Sequence, residues 1–308
     1  MSQASTSSRI VSIRTAYFLL ALVIVVWGAN WPVMKVGLQW MPPLTFAATR
    51  LVLGALTMFG VNAAMGQVAL PERSDLPVVF GVGLMQMGGF LALVVIGLQY
   101  VPAGRSAILA YTTSLWVVPM ASLFLGERLL GLRLIGFLLG IGGVVVLFNP
   151  LGFDWSDPQV IFGNALLLTA ALLWAILIVT VRGRSMRGSP LSLAPWQFSI
   201  GALLLVPLAL IMEWGQPIDW TAGLAAVLVY NGPVATAFGF WATITFTRAL
   251  PAITTSLATL GVPVFGMALA AATLGEALTW TNLLGLALIL TGLTCVTLAD
   301  RRRVRNAV

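Results

Sequence analysis

Trp27, Asn30, Trp31 and Met34 stand at i, i+3, i+4 and i+7 of one apolar run, so on a helix they share a face. A stripe of indole, amide and thioether groups suits a small molecule with an apolar side chain and a polar head. Packing against a neighbouring helix is the competing use. Other apolar runs carry polar groups at mid-depth: Gln86, then Tyr111-Thr112-Thr113-Ser114 with Pro119 following, then Tyr230-Asn231-Gly232-Pro233. A proline inside a helix frees a backbone carbonyl, which protein or water in a cavity must satisfy. A Thr, Ser or amide in such a place otherwise bonds its own backbone or a neighbouring helix. Trp174 and Trp241 join the candidates as lining aromatics, with core packing as their rival. What these residue types offer is recognition rather than bond-making.

Arg50 is the one basic residue well inside an apolar run. A charge at depth needs a partner, and no Asp or Glu falls inside any run. Backbone carbonyls, water or a substrate carboxylate must serve, unless the side chain snorkels to the near interface. The acidic residues Glu72, Asp75, Glu127, Asp154, Asp157, Glu213, Asp219, Glu276 and Asp300 all lie at run ends or between runs. There is no His, the one Cys is Cys295, and the one Lys is Lys35 at the end of a run. Metal sites, paired carboxylates and a Ser/Lys dyad therefore lack their parts. No catalytic residue, metal or cofactor is expected, and the chain reads as something other than an enzyme. Proton-coupled carriers usually keep an Asp, Glu or His in the membrane, and arginine does not give up its proton. Facilitated diffusion or exchange is thus the leading mechanism, with proton-coupled antiport as the alternative.

The elements that must position these residues are membrane spans. The chain is 59% hydrophobic and 8% charged, with mean hydropathy +1.01. Runs long enough to cross a bilayer cover residues 15–35, 42–63, 76–98, 104–125, 132–149, 160–182, 190–213, 222–247, 253–274 and 282–299. The loops between them are short and offer no soluble domain. One set of loops, termini included, holds Arg9, Arg14, Arg73, Arg128, Arg133, Arg182, Arg184, Arg187, Arg248 and the Arg301–Arg305 cluster; the other set holds Lys35 and Arg105. The positive-inside rule puts both termini in the cytoplasm and accounts for the net charge of +7 without nucleic acid. Trp40, Tyr100, Trp155, Trp214, Trp220 and Trp280 mark the other face as an aromatic belt.

The chain is also a duplication. Pro102-Ala103 returns as Pro251-Ala252, Leu125-Gly126-Glu127 as Leu274-Gly275-Glu276, and Gly136 and Gly143 as Gly285 and Gly292, all 149 residues on. Upstream, Trp27 meets Trp174, Pro43-Leu44 meets Pro190-Leu191 and Gly54 meets Gly201 at 147. Two copies of five spans, 1–149 and 150–308, must sit upside down relative to each other, as in many secondary transporters. The fold expected is an all-α membrane protein of ten helices, two inverted five-helix repeats around a central cavity. Receptors and channels, the competitors from another class, gain nothing obvious from inversion, and no filter-like motif or ring of charge is visible.

With the Leu-Gly-Glu signature closing spans four and nine, the glycine-studded span of Gly136, Gly140, Gly142 and Gly143, and the Trp27-Gly28 pair, the chain resembles the EamA-like branch of the drug/metabolite transporter superfamily. It is most similar to the YddG-type exporters of aromatic and other amino acids. The resemblance implies export of a small metabolite such as an amino acid, and residence in a bacterial inner membrane. On this reading Trp27, Asn30, Gln86, Tyr111, Ser114, Trp174, Tyr230, Asn231 and Trp241 bind substrate. Arg50, Pro119, Pro263, Glu127 and Glu276 have gating or structural work. Glu127 and Glu276 follow helix C-termini, where a carboxylate opposes the dipole; tying down an adjacent loop or helix start explains them best. The family pattern departs from symmetry where Ser114 stands opposite Pro263. The Gly136/Gly140 spacing reads as close packing within a monomer, with dimerisation as the alternative.

Overall fold

The structure, a computed structural model, describes residues 11–125, 131–148, 156–181, 186–250, 259 and 261–306. Among these there is no strand. In chain order the helices are α1 (Ile13–Gly37), α2 (Pro43–Ala64), α3 (Leu76–Tyr100), α4 (Ala103–Ala110 and Thr113–Leu125), α5 (Leu132–Phe148), α6 (Pro158–Val181), α7 (Pro190–Met212), α8 (Ala222–Val229, Tyr230–Phe238 and Gly239–Ala249), α9 (Gly261–Leu274) and α10 (Trp280–Asn306). Seven of them are long and apolar enough to cross a bilayer, and three shorter apolar helices complete the set. Large side chains such as Leu203 and Ile211 point outward, 72% and 78% exposed, as lipid-facing residues do. The chain is a multi-pass integral membrane protein.

Local sequence explains where the helices start and stop. Ser12, Ser189 and Thr221 accept N–H groups of Thr15, Ser192 and Leu224, while proline occupies the first turns of α2 and α7. The turns after α2 and α7 place Gly66 at φ +65° and Gly215 at φ +76°, a backbone state that L side chains rarely adopt. Carboxylates close the remaining ends. Glu213, beyond α7, accepts the Leu44 and Thr45 N–H groups at 2.8 and 2.7 Å and so caps α2. Asp75 accepts from Arg187 and Gly188 ahead of α7 at 2.9 and 2.8 Å. Glu276 caps α4 through the Ala103 and Gly104 N–H groups. An anion at a helix N-terminus meets unpaired donors and the positive end of the dipole together. At the same corner the Lys35 ammonium donates to the carbonyls of Leu98, Gln99 and Val101 that end α3.

Repeat-mate helices run antiparallel, which is what inversion means in packing terms. Glu213 joins the end of α7 to the start of α2, while Asn62 near the end of α2 donates to the Leu191 carbonyl at the start of α7. In α5 and α10, Gly136 faces Gly292 and Gly143 faces Gly285. A Cβ on Gly136 would stand 2.5 Å from the Gly292 carbonyl oxygen, and one on Gly143 would stand 2.8 Å from that of Gly285. Because Gly136 and Gly285 are mates, as are Gly143 and Gly292, the two contacts exchange under a two-fold axis. The glycine spacing thus serves packing between repeats.

Two departures from regular helix lie next to the cavity. Expected as one span, α4 breaks at Tyr111-Thr112, where the hydroxyls of Thr112 and Thr113 donate to the Leu109 and Ala110 carbonyls. Helices α3 and α8 each widen into nine residues of π-helix, Val82–Phe90 and Tyr230–Phe238. Their starts are 148 residues apart, so the widening belongs to the repeat. The expected start of span nine, at residue 253, lies outside the described residues.

Candidate functional site

A cavity of about 150 Å³ lies among α1, α2, α3, α4, α6, α7 and α8. The α1 stripe supplies Trp27, Asn30, Trp31 and Met34 together, as the spacing of the sequence requires. From α2 come Arg50 and Leu51, from α3 Gln86, Met87, Phe90, Leu91 and Val94, and from α4 Tyr111. The second repeat contributes Trp174 of α6, Phe198 of α7, and Ala235, Thr236 and Phe240 of α8. Two of the lining pairs are repeat mates at the spacing of 147: Trp27 and Trp174, Leu51 and Phe198. Described residues of α9 contribute nothing to the lining.

The π segment of α8 shapes one wall. At its end the Gly239 N–H pairs with the Val234 and Thr236 carbonyls. The Trp27 indole N–H takes the Ala235 carbonyl at 2.9 Å, which fixes the ring plane at the cavity edge. The Thr236 hydroxyl donates to the Asn231 carbonyl at 2.7 Å, and its oxygen accepts from Arg50 Nε at 2.7 Å. Arg50 Nη1 meets the Met34 sulfur at 3.1 Å. Of the two readings open for this arginine, the inward one describes its position: the guanidinium is turned to the cavity and tied across repeats to Thr236. Trp174 stacks edge-on against Phe90, with centroids 4.9 Å apart. Asn30 is 6% exposed, and its Oδ1 has no hydrogen-bond partner among the described residues.

The remaining candidates stand elsewhere. Tyr230 Oη donates to the Val26 carbonyl at 2.6 Å and does not line the cavity. Asn231 is fully buried, with Nδ2 bonded back to the Val227 carbonyl at 3.0 Å. Tyr230 ties α8 to α1 beside the cavity, while the Asn231 side chain bonds within its own helix. Trp241 packs with Phe238 and the cluster of Leu20, Val23 and Phe246. Pro119 sits within α4, and Pro263 is buried in α9. Glu276 accepts the Ala103 and Gly104 N–H groups at the start of α4. Glu127 and the side chain of Ser114 lie outside what is described. Residue types alone pass over Ala235, and over Phe198 although it is the repeat mate of the lining Leu51. They also pass over Thr236, whose hydroxyl is one of several in α8.

Inverted repeats enclosing an aromatic, amide-bearing cavity at their junction define a membrane transporter. The chain belongs to the EamA-like transporter family, whose sequence profile matches residues 14–149 and 161–298, one match per repeat. A protein of Escherichia coli K12 described as a probable amino-acid metabolite efflux pump is 33% identical over 294 residues, covering 89% of this chain and 92% of that one. A Bacillus subtilis protein, the uncharacterized transporter YoaV, is 27% identical over 91% of this chain and 96% of its own length. A probable terminal-alkyne amino-acid exporter of Streptantibioticus cattleyicolor is 26% identical over 73% of this chain and 74% of its own. A solved crystal structure superposes with TM-score 0.66 at 23% identity, covering 93% of this chain and 97% of that one, and it shares the fold.

Proposed function

We propose that this transporter exports amino acids or closely similar metabolites, by alternating access of the central cavity to the two sides of a bacterial inner membrane. The observation that carries the reading is the cavity wall, where matched residues of both repeats surround one cation, two amides and a majority of aromatic and aliphatic side chains. Such a wall suits a small solute with a charged or polar head and an apolar body. It gives little to a bare inorganic ion. The relatives described as amino-acid exporters support the same substrate class. Both termini face the cytoplasm, on the strength of the arginine-rich loops. No Asp or Glu lines the cavity among the described residues, so transport runs down the metabolite gradient or by exchange. The test is efflux of each labelled proteinogenic amino acid from preloaded proteoliposomes. Faster loss of at least one than from protein-free vesicles, saturating with concentration, is expected. Equal loss for all of them removes the substrate class.

A further inference from the structure

The polar groups of the cavity are not spread evenly. Asn30, Arg50 and Gln86 all come from the first repeat, and the second adds Thr236 alone, beside the apolar Trp174, Phe198, Ala235 and Phe240. A solute bridging the two repeats therefore meets a polar side and an apolar side. On the polar side stands a guanidinium with no carboxylate among the described lining residues. Its Nε is occupied by Thr236, whose own proton is committed to the Asn231 carbonyl. Its Nη1 rests on a thioether, a weak acceptor that a carboxylate oxygen easily replaces. One helical turn before Met34 stands Asn30, a lining residue, nearly buried, whose acceptor oxygen has no donor among the described residues. A buried acceptor left without a donor is costly unless a ligand completes it.

Given the reading of the chain as an amino-acid exporter, we propose that the cavity fixes an α-amino acid by both ends of its zwitterionic head. The substrate carboxylate pairs with Arg50, its ammonium donates to Asn30 Oδ1, and its side chain lies toward Trp174 and Phe198. The faces of Trp27 and Trp31, on the same stripe, add cation–π attraction for the ammonium. Thr236 is a positioning residue: it holds the guanidinium fork in place across the repeat boundary.

The experiment compares labelled phenylalanine, phenylalaninamide and 3-phenylpropionate in proteoliposomes, since the amide lacks the carboxylate and the propionate lacks the ammonium. Wild-type protein should move phenylalanine about 10- to 100-fold better than either analogue, the range expected for losing a hydrogen bond to a charged group. Arg50→Gln should abolish the preference for phenylalanine over the amide. Asn30→Leu should do the same relative to the propionate. Thr236→Val should weaken the carboxylate preference in part, and Arg50→Lys should restore some of it. Wild-type protein that moves phenylalanine and its amide equally overturns the assignment, as does Arg50→Gln with an unchanged preference. If Arg50→Gln does not elute as a monodisperse species, the wild-type comparison of the three probes decides alone. Wild-type protein that moves no amino acid at all overturns the exporter reading, and this assignment falls with it.

Discussion

Trp27 has two tasks that a packing residue does not combine: its ring walls the cavity and its N–H holds the Ala235 carbonyl in the α8 π segment. Trp27→Ala should therefore lower the rate of amino-acid efflux at least about tenfold, since a buried aromatic and a buried hydrogen bond are lost together. Leu138→Ala, on a side chain 59% exposed in α5, should leave the rate near wild type. Efflux at matched protein content decides, and equal rates for the two variants would take Trp27 out of the site. Residue types and spacing revealed the α1 stripe and Gln86, Tyr111 and Trp174, because helical periodicity and the repeat put polar or aromatic groups where spans meet. They did not separate Tyr230 and Asn231 from lining residues. A tyrosine, an amide and a proline in succession look alike whether they face a cavity or bond backbone, and here Tyr230 bonds the backbone of α1 and Asn231 that of its own helix. Phe198 and Phe240 were hidden for the opposite reason, since phenylalanine in an apolar span carries no mark of its direction.

At the scale of helices, the spans could be read to within a few residues because hydropathy and caps act locally. The widened segments could not, because a π turn depends on the hydrogen-bond ladder and on what packs beside it. In α8 Pro233 removes one donor from that ladder, whereas α3 has Gly83, Gly88 and Gly89 in its segment and no proline. Two unlike sequences adopting the same turn at repeat-related positions point to hinges, a common use of π segments in helices. Pro233→Ala, which gives the ladder its donor back, should lower turnover several-fold while the KM for the substrate changes little. Unchanged turnover would assign the widening to packing alone. The carboxylate caps act differently. Glu213→Gln should lower stability by about 1 kcal/mol, as lost caps do, and leave substrate preference intact. Thermal unfolding in detergent together with the three-probe comparison separates these effects, and an altered preference would place Glu213 in the transport path.

For the whole molecule, five helices per repeat make the inversion unavoidable, and the antiparallel contacts of α2 with α7 and α5 with α10 express it. Inversion lets one cavity meet the two faces of the membrane in related ways, since each repeat can take the arrangement its mate just left. The polar groups break that symmetry: Arg50 corresponds to Gln197, and Asn30 to Leu177. The polar part of the cavity lining thus comes mainly from the first repeat. The same distribution leaves the described cavity lining without an Asp, Glu or His that could carry a proton between the two sides. The central claim is a carrier that exchanges amino acids through this cavity without proton coupling, and counterflow tests it most directly. Proteoliposomes loaded with an unlabelled amino acid that the protein exports are diluted into a trace of the labelled form, with equal pH on both sides and the membrane potential clamped. The account predicts a transient, saturable accumulation of label above its outside concentration, abolished when the internal amino acid is omitted. Label that only equilibrates without saturation, or that accumulates only when a pH gradient is imposed, would contradict it.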